Sequence, residues 1–210
     1  AGFRSILGIA IQPPYETYIT YDLYVTPGLV ALVALFNGMQ SSLAMVYDRE
    51  TGNMKLLMTA PVFRRNLLVY KLIATAVISC IQAYIFLGIA IFYGVNFPII
   101  GLVTVFPALF IASYFVSLLG LILASQIKEL ENFAGIMNFV IFPAFFLSSA
   151  LYPLWQIRET SEIVYQLAIL NPFTHIVESI RFGLHQTSVT FETLSFLIAA
   201  VLLSSVVHLL

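Results

Sequence analysis

Asp48-Arg49-Glu50-Thr51-Gly52-Asn53-Met54-Lys55-Leu56-Leu57-Met58-Thr59-Ala60-Pro61-Val62-Phe63-Arg64-Arg65-Asn66-Leu67-Leu68-Val69-Tyr70-Lys71 is a polar interruption between two apolar runs, Gly28–Tyr47 and Leu72–Tyr93. Arg49, Lys55, Arg64, Arg65 and Lys71 make it the home of five of the nine Lys and Arg residues. Basic residues collect in the short loops on the cytoplasmic side of a membrane protein, so this stretch orients the whole chain.

The surrounding composition agrees. The chain is 60% hydrophobic and 9% charged, with a mean hydropathy of +0.98, where a soluble domain carries about 25% charged residues. Too little of the surface can face water, and an all-α integral membrane protein, a polytopic helical bundle, is expected. Five apolar runs serve as spans: 28–47, 72–93, 102–124, 133–151 and 194–210. Backbone groups in hydrocarbon must bond internally, which makes such runs helices; the period-2 alternation of a membrane barrel is absent. The loop 125–132 adds Lys128, whereas the opposite side has only Arg4, Arg158 and Arg181. The expected topology places segment 1–27 outside, 48–71 and 125–132 in the cytoplasm, and the C-terminus inside. An external segment 1–27 needs an earlier helix to carry it across, so a missing first span and six spans in all are expected.

Net charge is −1, which offers no basic field for nucleic acid. His175, His185 and His208 lack metal-ligand spacing, Cys80 stands alone in an apolar run, and no serine has a recognisable base beside it, so no catalytic or metal site is expected. No phosphate-cradling G-x-x-x-x-G-K-[ST] loop occurs either.

Within the loop, Gly52 permits a turn and Pro61 ends the segment; Met54, Leu57 and Met58 share one helical face. Two interpretations remain open: an interfacial helix resting on lipid headgroups, or a docking helix for a soluble partner. Inside the spans, Asn37, Gln40, Ser41, Gln82 and Asn138 are polar. They either glue helices together or line a pathway. In 152–190, Trp155 is placed as an interfacial anchor, Ser161–Leu170 reads as an amphipathic helix, and Asn171-Pro172 as N-cap and first residue of a second helix. Glu178 and Arg181 are spaced to pair. An ordinary interfacial loop is the alternative.

The loop, with its Arg49-Glu50-Thr51-Gly52, Leu56-Leu57, Pro61, Arg64 and Lys71, resembles the segment linking the second and third spans of ABC-2 type exporter permeases. Thr26-Pro27-Gly28 resembles the start of that family's second span. Phe142-Pro143-Ala144-Phe145-Phe146 through Tyr152-Pro153-Leu154, followed by Leu170-Asn171-Pro172-Phe173, resembles its fifth span and the hairpin beyond. Lys55 departs from the pattern, which often has an acid there. The resemblance implies that Arg49, Glu50, Gly52, Met54, Lys55, Leu57, Met58, Pro61 and Arg64 couple to a separate cytoplasmic ATPase. ATP and Mg would be bound by that partner. It further implies a second permease copy across a twofold interface, an external re-entrant hairpin, and residence in a bacterial inner membrane. Rival expectations from other classes are a secondary transporter and a membrane-embedded lipid or glycan enzyme. The former predicts an internal repeat or charged mid-span residues; the latter, a cluster of acids or histidines at one membrane face. The sequence shows neither.

Overall fold

Long apolar runs satisfy their own hydrogen bonds as helices, and a computed structural model shows them so. It describes residues 20–54, 59, 64–127 and 129–185. Among them are α1 (Tyr21–Glu50), α2 (Arg64–Phe92), α3 (Ile99–Gln126), α4 (Leu130–Phe146), α5 (Leu154–Thr160), α6 (Glu162–Leu170) and α7 (Pro172–His185). Among the described residues, three helices are long and apolar enough to cross a membrane: α1, α2 over Asn66–Phe92, and α3. The fourth, α4, has 17 residues, about 25 Å of rise. The expected span 194–210 lies outside the described residues.

Helix bounds differ from the hydropathy runs for physical reasons. α1 begins at Tyr21 rather than at Gly28, so Thr26-Pro27-Gly28 sits within its second turn. A proline there removes one backbone donor, and the Thr26 hydroxyl donates to the Asp22 carbonyl at 2.6 Å in the same turn. α4 stops at Phe146 rather than continuing to Leu151. Beyond it, Ser148, Ser149 and Ala150 are buried but irregular. Irregular backbone at that depth requires partners from neighbouring protein, and they are described below.

The helices alternate in direction. α1 and α3 run parallel, with α2 and α4 antiparallel to them, which creates two ends. At the loop end, α1 and α3 finish while α2 and α4 begin. At the hairpin end, α5, α6 and α7 fold across the opposite termini. The α1–α3 seam is built from small residues: a Cβ on Gly38 would lie 2.6 Å from Val116 Cγ1 and 2.9 Å from Ser117 N, and one on Gly120 would strike the Ser42 hydroxyl. Small residues let membrane helices approach closely, where packing rather than water exclusion holds them. Val30, Ala31, Leu109, Ala112, Val116 and Ile141 continue this core towards Phe173, Ile176 and Ile180 of α7. Outside, Ile81, Ile85 and Ile89 of α2, Val103 of α3 and Phe139, Phe142 and Phe146 of α4 are exposed, the apolar exterior that suits lipid.

Candidate functional site

At the loop end, three successive residues of α1 each reach a different helix. Asp48 Oδ2 accepts from Lys71 Nζ of α2 at 3.3 Å. Arg49 Nη1 donates to the carbonyls of Ala124 and Ile127, at the open end of α3, at 3.1 and 3.3 Å. Glu50 Oε2 accepts from the backbone N–H of Leu130, the first residue of α4, at 3.2 Å. The last carbonyls and first N–H groups of a helix have no intrahelical partner. A cation at the former and an anion at the latter also complement the helix dipole, each worth about 0.3–1 kcal/mol. Beneath these bonds Val46, Ala124 and Phe133 form a small apolar cluster.

The chain then reverses. Thr51 N–H bonds the Tyr47 carbonyl, Gly52 N–H bonds that of Arg49, and Gly52 takes φ +79° with open space around it. That left-handed conformation is cheap for glycine alone. Asn53 and Met54 are helical. Met54 closes a cavity of about 250 Å³ with Met45, Asp48, Leu67, Leu68 and Lys71. Lys55, Leu57, Met58 and Pro61 lie outside the described residues, and Arg64 is the first residue of α2.

Within the bundle, two polar rungs join α1 to α2. Asn37 Nδ2 donates to Gln82 Oε1 at 2.6 Å, and Thr75 Oγ1 donates to Ser41 Oγ at 2.6 Å. Gln40 and Asn138 are exposed on α1 and α4. The five polar positions thus divide into three that bond between helices and two that face outwards.

The hairpin end answers the irregular backbone after α4. Asn171 works in both directions: its Nδ2 donates to the carbonyls of Ala144 and Leu147 at 2.7 and 2.8 Å, while its Oδ1 accepts the Phe173 N–H at 3.0 Å. One side chain closes the end of α4 and the start of α7. Arg181 is 2% exposed. It donates to Glu178 Oε1 at 2.5 Å and to the Ser149 carbonyl at 2.9 Å, and its guanidinium lies 4.1 Å from the centroid of the Tyr24 ring. The Tyr24 hydroxyl donates to the same Ser149 carbonyl at 2.9 Å. Thr104 of α3 bonds the Gly183 carbonyl at 2.7 Å, where a Cβ on Gly101 would strike the Leu184 carbonyl. Trp155 is half-buried on α5. His185, against Phe97, has its pKa lowered from 6.5 to about 4 by burial and then by Arg181. Among the described residues no three His, Cys, Asp or Glu side chains converge as metal ligands would.

The sequence model of the ABC-2 type transporter family matches residues 5–185, which takes in both ends and every described helix. The chain belongs to the ABC-2 type transporter family. It is 27% identical to the protein named "Putative transport permease ycf38" of Cyanophora paradoxa, over 82% of this chain and 59% of that protein. Its identity to the proteins of the same name is 25% in Porphyra purpurea and 26% in Pyropia yezoensis, in each case over 78% of this chain and 56% of theirs. The chain therefore spans rather less than two thirds of the length of these relatives. No solved structure matches it.

For an ABC-2 family member, the residues missed from sequence are as informative as those found. Asn171 as N-cap and the Glu178–Arg181 pair were visible from spacing. Asp48, Lys71, Thr75, Tyr24 and Ser149 were not, because their partners lie 23 to 125 residues away. The one available signal was the acid–base–acid order of Asp48-Arg49-Glu50, which marks a helix end without saying what it meets.

Proposed function

We propose that this chain is the transmembrane permease subunit of an ATP-driven exporter, with ATP and Mg bound on a separate cytoplasmic ATPase. The carrying observation is the loop end, where a reversal at Gly52 presents Asn53 and Met54 beyond a corner tied to α2, α3 and α4. A loop that receives force from a partner needs such a footing, since a loosely held one would absorb the displacement. Arg49, Glu50 and Gly52 would set the footing, with Met54 packed back against its base, while Lys55, Leu57 and Met58 would supply the docking face. The membrane would be a bacterial inner membrane, with the loop in the cytoplasm and the hairpin outside. A second permease copy would complete the pathway. Gln40 and Asn138, exposed polar side chains on otherwise apolar outward faces, would line it.

The test is co-purification of the complete permease with the ATPase encoded beside it. Wild type brings the ATPase down. Gly52→Pro, which cannot take a positive φ, and Leu57→Glu insert in the membrane but lose it. A folded wild-type permease that recovers no ATPase refutes the reading.

A further inference from the structure

We propose that Arg49 and Glu50 are positioning residues that carry displacement of the 51–63 loop along the axes of α3 and α4. This rests on that loop being the ATPase-docking segment.

The argument begins with connectivity. The loop is covalently continuous with α1 and α2, so any force on it reaches those helices directly, and the Asp48–Lys71 ion pair closes its base. α3 and α4 have no such link. Lateral packing joins α3 to α1 along the Gly38–Gly120 seam, and Val46 against Phe133 joins α4. Close packing of this kind resists sliding too, but its contacts lie sideways to the helix axes. The bonds from Arg49 and Glu50 differ in direction, because the groups they hold include the Ala124 carbonyl in the last turn of α3 and the first N–H of α4. Those groups point along the helix axis, so a moving α1 end pulls or pushes both helices lengthwise. α4 is the short helix, and its start is held by Glu50 while its far end is held by Asn171. An axial pull at Leu130 is therefore felt at Asn138 and at the hairpin.

The experiment uses the complete permease in lipid nanodiscs on a Cys80→Ser background. Spin labels stand at the exposed positions Asn53 and Glu131, and the label–label distance distribution is measured. Wild type gives a single narrow peak with or without the ATPase. Arg49→Ala and Glu50→Ala lose that peak, whereas Glu50→Gln, which keeps an acceptor for the Leu130 N–H, retains it. A second pair, Asn53 with the exposed Phe139 of α4, keeps its distance on adding ATP to the wild-type complex; in Glu50→Ala that distance changes while the ATPase still co-purifies.

A narrow peak that survives both alanine variants overturns the proposal. So does a Phe133→Ala variant that broadens the peak as much as they do, since apolar packing would then be the link. Loss of ATPase binding in Glu50→Ala also overturns it, by making Glu50 a docking contact. The first label pair is read on the permease alone, so the absence of any ATPase partner would refute the docking reading and leave the staple standing.

Discussion

The loop end and the hairpin end solve the same problem in opposite surroundings. Each must satisfy helix termini and turns with polar side chains from distant helices. At the loop end, Asp48 and Lys71 keep 28% and 32% of their side-chain surface exposed, and Glu50 is exposed. At the hairpin end, Arg181 keeps 3%. Exposed pairs exchange readily with water and are individually weak, with typical values of about 0–1 kcal/mol. A buried charge has no such alternative, and removing its partners costs about 3–5 kcal/mol. One corner is therefore a partly solvated set of bonds that are weak one by one, and the other a buried set whose members are costly to separate.

The largest effect should come from breaking the buried corner. Arg181→Ala leaves the Glu178 carboxylate without its cation and the Ser149 carbonyl with one donor fewer, and should destabilise the protein by roughly 3–5 kcal/mol. Thermal unfolding in detergent checks this against Arg49→Ala, expected to cost about 1 kcal/mol. Equal losses at the two corners would erase the contrast. Next is the seam that carries both corners. Gly38→Ala drives a methyl group against Val116 and the Ser117 backbone, an overpacking cost of about 1–3 kcal/mol by the same assay. Asn171→Ala removes caps from two helix ends at once and should lose about 1–2 kcal/mol; hydrogen exchange should quicken at Phe173 while Leu130 is unchanged.

A pH series sharpens the comparison further. The folded-state pKa of His185 is lowered from 6.5 to about 4, so between those values the unfolded chain binds a proton that the folded chain declines. Stability should fall as pH drops from about 6.5 towards 4 and lose no more to this group below that. His185→Gln should flatten that part of the profile. The smallest effect is expected of Asp48→Asn, which weakens a partly exposed pair by less than about 1 kcal/mol.

Much of this architecture was legible beforehand, and the failures have identifiable causes. Hydropathy locates the part of a helix suited to lipid, whereas helices extend as far as their hydrogen bonds allow. That is why α1 starts at Tyr21, ahead of the apolar run. The apolar run after Phe146 suggested continued helix to Leu151. Instead, Asn171, Tyr24 and Arg181 supply donors to the carbonyls of Ala144, Leu147 and Ser149, so the backbone can afford to leave the helix. The polar residues of α1 and α2 were open between glue and pathway. Asn37, Ser41 and Gln82 bond between the helices, and a single sequence does not show which faces meet.

The sequence by itself determined the class. Apolar runs, a basic loop and an ordered set of motifs depend only on local composition and spacing, and these fix helices, membrane and family. The positive φ at Gly52, the N-cap at Asn171 and the Glu178–Arg181 pair belong to the same local order. Only the tertiary structure decided that Asp48, Arg49 and Glu50 serve three different helices, that Asn171 faces two ways, and that Arg181 is buried over Tyr24. Those contacts depend on which helix termini come to lie side by side, and that is set by packing along seams such as Gly38 against Val116, far from the residues that make the bonds.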